Sequence, residues 1–291
     1  MTPKVSVILP VHNRADVLPR AIESVLGQEL REFELVVIDD GSSDGSAAVA
    51  ELFGDERIRL IRLDRNRGGN VARNEGIRAA RAPLIAFLDS DDRYFPDKLA
   101  WTAAEFERRP KLELLVDSFI KVQPPGARKA EVVRRNPVID EREQFRTTLF
   151  TRRLWKATPA ITVRRQIAIE AGLFDETLRR LQDFDFLIRV SEMANCASTD
   201  RVLWVKYWDA GAISAQDNMI PANVELVRRH PEYLRNPAYR PGLAYALRLS
   251  AWRRIKRGDI GGIARDMRSL GDAFGRREAA RLAWEALWPR N

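Results

Sequence analysis

The chain has 291 residues, 45% apolar and 31% charged, with one cysteine and two histidines. This balance fits a folded chain of one large domain or two ordinary ones and excludes disordered, collagenous and disulfide-stapled proteins; Cys196 alone forms no intrachain disulfide, and His12 and His230 are poor material for a multi-histidine metal site or a Ser-His-Asp triad. The net charge of +8 belongs to residues 222–291, which hold 15 basic and 7 acidic residues, whereas residues 1–221 hold 34 of each.

Lys4–Pro10 reads as a buried strand and Asp16–Gln28 as a helix, with apolar residues at Val17, Leu18, Ile22, Val25 and Leu26. Phe33–Ile38 is a second strand, running into the turn Asp39-Asp40-Gly41-Ser42-Ser43-Asp44-Gly45. Ser46–Phe53 is expected to be helical, Arg57–Leu63 a strand, Gly69–Ala80 a helix, Leu84–Leu88 a buried strand and Pro96–Arg108 a helix with proline at its start. Leu112–Val122 is a further strand, and residues 122–136 form a loop or hairpin. Trp155–Val163 is expected as a strand, Arg165–Ala171 as a short helix ended by Gly172, Asp183–Met193 as a helix and Val202–Tyr207 as a strand. Residues 222–291 read as helical, with an apolar stripe at Ile260, Ile263, Met267, Leu270 and Phe274. No apolar run approaches the ~18–20 residues of a membrane span. The first residues do not read as a signal peptide, so a cytoplasmic location is expected.

Strands alternating with helices predict an α/β fold, a doubly wound, mostly parallel sheet with helices on both faces, followed by a helical C-terminal segment. Ligands of such sheets bind beyond the carboxyl ends of the strands, where the polar turns fall. Carboxylates at Asp39 and Asp40 can accept hydrogen bonds from a base N–H or ribose hydroxyls, while Ser43 and Asp44 can cap the next helix. After the fourth strand comes Asp89-Ser90-Asp91-Asp92. Three carboxylates so close repel one another unless a cation or donors offset them. Oxygen-only ligation suits Mg2+ or Mn2+, which would neutralise a diphosphate leaving group; the plain alternative is that Asp92 caps the following helix.

Taken together, these turns resemble the inverting family-two glycosyltransferases of the GT-A fold. The resemblance is carried by Val5-Ser6-Val7-Ile8-Leu9-Pro10-Val11-His12-Asn13-Arg14, Asp39-Asp40-Gly41-Ser42, Ala72-Arg73-Asn74-Glu75-Gly76-Ile77 and Ile85-Ala86-Phe87-Leu88-Asp89-Ser90-Asp91-Asp92. It continues in Gly172-Leu173-Phe174-Asp175-Glu176 and Leu181-Gln182-Asp183-Phe184-Asp185-Phe186, so that it covers roughly residues 4–214. It implies a nucleotide-diphosphate sugar donor, a UDP-sugar first, and a sugar or lipid-linked acceptor. Asp40 would contact the base, with Pro10 and Val11 lining its pocket. Asp89 would lie near ribose and metal, Asp91 would ligate the metal, and Asp183 would be the catalytic base. Arg73 matches a position near the donor, with a structural ion pair as its alternative; helix capping is the alternative for Asp183 and the preferred reading of Asp175. On this basis residues 1–115 form the nucleotide-sugar-binding half, 116–221 the acceptor-binding and catalytic-base half, and 222–291 the basic helical segment.

Two departures bear on the reaction. Many members carry Glu before the catalytic Asp, where this chain has Gln182. Processive synthases carry a Gln-x-x-Arg-Trp string and membrane spans, and Arg152-Arg153-Leu154-Trp155 is not that string. Transfer of a single sugar is therefore expected, with the inversion that the resemblance implies, in cell-surface polysaccharide or glycolipid synthesis.

In the basic segment, Arg253, Arg254, Lys256 and Arg257 flank Trp252 and Ile255, with Trp284 and Trp288 further on. The pattern suits an amphipathic helix on an anionic membrane, peripheral at its inner face, or helices packed on the catalytic body with arginines outward. A sugar nucleotidyltransferase would show a glycine-rich phosphate loop after the first strand, and Pro10–Arg14 contains no glycine. A non-catalytic nucleic-acid-binding protein is disfavoured by the neutral body and acidic crevice, and no nucleic-acid partner is expected.

Overall fold

The computed structural model describes residues 2–208 and 219–287. These form two compact units, one of residues 2–145, 155–177 and 182–208, the other of residues 146–154, 178–181 and 219–287. Trp288 lies outside the described residues.

The first unit starts with β1 (Val5–Val11), α1 (Leu18–Leu26), β2 (Phe33–Asp39), α2 (Ser46–Leu52), β3 (Ile58–Arg62), α3 (Gly69–Ala79) and β4 (Leu84–Phe87). Then come β5 (Arg93–Tyr94), α4 (Lys98–Arg108), β6 (Leu114–Val122), β7 (Glu131–Arg134) and α5 (Arg142–Phe150), whose residues from 146 onward belong to the second unit. A 3-10 turn at Thr158–Ala160, β8 (Ile161–Arg164), α6 (Arg165–Glu170), α7 (Gln182–Met193) and β9 (Cys196–Lys206) complete it.

The strands form one sheet in the order β3-β2-β1-β4-β8-β6-β9-β5, with β7 paired to β6. From β3 to β4 every pairing is parallel; beyond β4 the sheet is mixed, because β8 runs antiparallel to both β4 and β6 while β6 and β9 are parallel. The near-continuous apolar character of β1 and β2 follows from burial on both faces. Helix α3 lies close on these strands. A Cβ at Gly76 would stand 2.5 Å from Ile8 Cγ2 and 2.7 Å from Ile38 Cδ1, so the helix keeps its approach only with glycine there. Because β1, β2 and β4 are parallel, Val11, Asp39 and the Asp89 turn emerge at the same rim.

Several expectations are corrected. Trp155–Val163 is not one strand: Pro159, with fixed φ and no N–H, sits in the 3-10 turn, and the strand starts at Ile161. Helix α5 was not foreseen; its few apolar residues, Phe145, Leu149 and Phe150, are all buried. Strand β9 begins at Cys196 rather than Val202, its polar middle lying where the register with β6 shifts. Gly45, at φ 88°, is the N-cap of α2, but the capping bond comes from one residue upstream as expected: Asp44 Oδ1 accepts the N–H of Ser46, the helix's first residue, at 3.0 Å, while the Ser43 hydroxyl turns to Asn13 instead. Asp92 does not cap α4.

The second unit holds α8 (Met219–Arg229), α9 (Glu232–Arg235), α10 (Arg240–Lys256), α11 (Ile260–Phe274) and α12 (Arg276–Leu287) with the end of α5. Phe150 stacks on Tyr239 with centroids 4.1 Å apart, and α10 comes so close that a Cβ on Gly242 would meet the Phe150 carbonyl oxygen. The expected stripe on α11 is only partly inward. Leu270 is buried, whereas Ile260 and Met267 are exposed, because the inner face also carries Asp266, which accepts from Arg254 Nε at 2.6 Å. Arg254 further donates to Asp259 at 2.5 Å and is therefore withdrawn from the basic surface. Among the described residues, no helix is long and apolar enough to cross a membrane.

Candidate active site

The rim is built from two neighbouring turns laced together. Val11 pairs with Asp39 at the end of the β1–β2 ladder, and Val11 O accepts the Asp40 N–H at 2.8 Å, which sets Pro10, Val11 and Asp40 side by side. Asn13, in the left-handed region at φ 51°, donates its N–H to Ser42 Oγ and accepts the Ser43 N–H on its side chain. Asp44 accepts the Ala15 N–H at 2.9 Å. Gly41 has φ 67°, and a Cβ there would come within 2.5 Å of the Arg65 backbone, so this turn requires glycine.

Asp40 is buried, and its two oxygens accept the N–H groups of Arg67 and Gly68 at 2.7 and 2.8 Å. Its carboxylate thus fixes the loop entering α3, and each oxygen keeps a second lone pair for a further donor. Asp39 accepts the Ser42 N–H at 3.0 Å.

At the end of β4 the oxygens of Asp89, Asp91 and Asp92 come within 4.8 Å of one another. Arg73, buried on α3, donates Nη2 to Asp89 Oδ1 at 2.7 Å. Asp92 is fully buried, accepts the Tyr207 N–H at 3.0 Å and lies 3.6 Å from Lys206 Nζ. Arg20 donates to the Asp91 carbonyl at 2.5 Å and stacks over Tyr207. Burial works to raise the Asp89 pKa, but the Arg73 and Lys206 charges hold it below the usual carboxylate range. Burial and the Asp89 charge push Asp91 up, and burial drives Asp92 well up against the opposing Lys206. Lys206, although desolvated, is raised by the three carboxylates around it.

This donor set fits a hard divalent cation. Three carboxylates converge, and the buried Asp92 Oδ2 makes no hydrogen bond among the described residues, with Lys206 Nζ standing off at 3.6 Å. Mg2+ and Mn2+ favour such oxygen ligation.

Asp183 lies outside this cluster, in the first turn of α7, where Oδ1 accepts the Phe184 N–H at 2.8 Å. An aromatic relay connects the two places. Phe87 meets Phe174 edge-on at 5.3 Å, and Phe174 stacks on Phe186 at 4.4 Å, one turn beyond Asp183. Phe174 is fixed by Asn74, whose amide bonds its N–H and C=O at 2.9 Å each and donates to Glu176 at 3.0 Å. Asn70 donates to the Asp175 carbonyl at 2.8 Å, and Arg189 on α7 ties Asp185 to the Leu173 carbonyl. Asp175 accepts from Thr177 N and Oγ1, which closes a local turn rather than the helix cap expected of it, the next helix starting only at Gln182.

Thus Pro10, Val11 and Asp40 form one group and Arg73, Asp89 and Asp91 another, with Asp183 joined through packed rings. Lys206, Arg20 and Asn70 were not foreseen. Only Asn70 left a signal, its four-residue spacing from Asn74 on one helix face.

The family model described as "Glycosyl transferase family 2" matches residues 6–161. The succinoglycan biosynthesis protein ExoO of Rhizobium meliloti is 52% identical over 97 residues, 33% of this chain and 28% of that protein. The uncharacterized glycosyltransferase EpsJ of Bacillus subtilis is 31% identical over 196 residues, 64% of this chain and 55% of that protein. The chain thus spans well under two thirds of the length of either relative. Among solved structures, S. aureus TarS 1–349 in complex with UDP-GlcNAc superposes with a TM-score of 0.66 at 18% identity, over 99% of this chain and 93% of that one. The mannosyltransferase PcManGT from Pyrobaculum calidifontis, in complex with GDP-Man and Mn2+, gives 0.59 at 16% identity, over 100% of this chain and 89% of that one. At these identities the likeness is one of fold, and that fold is GT-A-like.

Proposed function

Because the chain belongs to glycosyl transferase family 2, we propose that it transfers a single sugar from a nucleotide-diphosphate sugar to an acceptor hydroxyl with inversion. The setting would be the synthesis of a cell-surface polysaccharide or glycolipid on the cytoplasmic side of a membrane. The observation that carries this reading is the convergence of Asp89, Asp91 and Asp92, offset by Arg73 and Lys206, at the rim where Pro10, Val11 and Asp40 also emerge.

The base of the donor lies against Pro10 and Val11 and is read by Asp40 through its remaining lone pairs; Arg73 and Asp89 face the ribose and phosphates. Bound Mg2+ or Mn2+ supplies charge neutralisation for the departing diphosphate, and Asp91, with its neighbouring carboxylates, would hold it. Asp183 takes the proton from the acceptor hydroxyl. That oxygen bonds the anomeric carbon from the face opposite the nucleotide, the bond to the diphosphate oxygen breaks, and the nucleoside diphosphate leaves with the electron pair.

A UDP-sugar is the proposed donor, in line with the UDP-GlcNAc complex of TarS. Melting the protein with UDP, GDP or dTDP, each with and without Mn2+, tests the reading. UDP with Mn2+ is expected to raise Tm, as ligands that bind only the folded state do. No shift with any of the three would remove the donor assignment.

The second unit is the proposed membrane contact. Trp252, Ile255 and Ile260 are 51%, 63% and 76% exposed, beside the basic Arg253, Lys256 and Arg257. Lys256 Nζ stands 3.9 Å above the Trp252 ring. Vesicles rich in phosphatidylglycerol are expected to co-sediment the protein, and the double variant Arg253→Glu with Lys256→Glu to stay in solution. Equal sedimentation of the two proteins would exclude this face.

A further inference from the structure

We propose that a cavity in the second unit is a binding site for a saccharide bearing an anionic group, a carboxylate or phosphate. The cavity, about 610 Å³, lies between α10 and α12. Volumes of roughly 300–1,000 Å³ are usual for small-molecule sites. Its chemistry comes from Arg240, Tyr245 and Arg248 on α10 and from Arg281, Trp284 and Glu285 on α12.

Two aromatic side chains at the cavity, Tyr245 and Trp284, are 45% and 63% exposed. Rings in such positions offer an apolar plane to the C–H face of a pyranose while keeping a polar edge in water. Beside them runs a polar chain. The buried Arg240 donates to Glu278 at 2.7 Å and pairs with Glu285 at 3.2 Å, and Arg281 Nε lies 3.3 Å from the same Glu285. Arg240 is itself buried, and its Nε has no hydrogen-bond partner among the described residues. The Arg248 guanidinium lies 5.5 Å from the Tyr245 ring centroid.

Guanidinium forks beside a carboxylate match vicinal hydroxyls, which both donate and accept. Three guanidiniums against two carboxylates leave an excess of positive charge, and arginine favours bidentate contact with carboxylate or phosphate. A concave site with a buried guanidinium suits a discrete ligand better than it suits a bilayer surface. The inference is independent of the donor and of the catalytic assignments, since every residue used belongs to the second unit.

Titrating the full chain calorimetrically with trigalacturonate, and with maltotriose as the neutral counterpart, tests the site. Trigalacturonate is expected to bind, and maltotriose to bind at least tenfold more weakly. Trp284→Ala and the exposed-surface variant Arg248→Ala are each expected to weaken trigalacturonate tenfold or more. Trp252→Ala, on α10 but outside the cavity lining, is expected to leave it unchanged. No heat of binding from either saccharide, equal affinities for the two, affinity indifferent to both cavity variants, or an equal loss in Trp252→Ala would each overturn the proposal. Donor turnover plays no part in the readout, so the glycosyltransferase reading can fail or stand separately.

Discussion

Asp183→Asn is expected to lower the rate of sugar transfer by about 10²–10⁴-fold, the usual worth of a general base, with donor affinity unchanged. The substitution keeps the shape of the side chain and an oxygen to accept the Phe184 N–H, now held at 2.8 Å. Helix α7 is retained because Phe184, Phe186 and Leu187 stay buried. What is lost is the capacity to take a proton. Single-turnover transfer measured beside calorimetric donor binding separates the two effects. A variant as fast as the parent would take Asp183 out of the chemistry, and one that no longer binds donor would make it a binding residue instead.

Asp91→Asn is the complementary case, with loss of function and gain of stability expected together. Asp89 is neutralised by Arg73, and Asp92 receives the Tyr207 N–H and faces Lys206, so both also serve the fold. The Asp91 carboxyl is raised above its ordinary range by burial and by the Asp89 charge. A carboxyl whose pKa is higher folded than unfolded binds protons more tightly in the native state. Without metal, ionised Asp91 therefore disfavours folding above its folded pKa, and that penalty fades as the pH falls. The neutral amide removes it. The variant should melt above the parent in EDTA at neutral pH, yet lose most of the Tm rise that Mn2+ and UDP give the parent and at least tenfold of its turnover. If the variant keeps the full Mn2+-dependent rise, or if EDTA leaves parent turnover intact, Asp91 is no metal ligand.

The elements that carry the rim were legible because the physics behind them is strong. Strands β1, β2 and β4 are apolar runs buried on the sheet, and each stops at a polar turn that cannot be buried. The Asp89–Asp92 cluster stood out because adjacent carboxylates demand an explanation. Their counter-charges did not. Lys206 ends a strand, and Arg20 sits on a helix whose apolar face is elsewhere, so neither differs locally from any solvated cation. Helix α5 was hidden because only three of its residues, Phe145, Leu149 and Phe150, are apolar, too few for a period to stand out. The stripe on α11 misled because Asp266 occupies its inner face, where Arg254 neutralises it, and hydropathy takes no account of a paired charge. Proline at 159 redirected a segment whose composition otherwise suited a strand.

Helix α3 serves two masters. Gly76 seats it on Ile8 and Ile38, Arg73 reaches the carboxylate turn, and Asn70 and Asn74 grip the loop that leads to α7. Groups assigned to leaving-group departure and to acceptor activation thus share a single beam, and neither can be retuned through it without dragging the other along. Freedom to drift on that beam is left to Glu75, Arg78 and Ala79, the positions that turn outward.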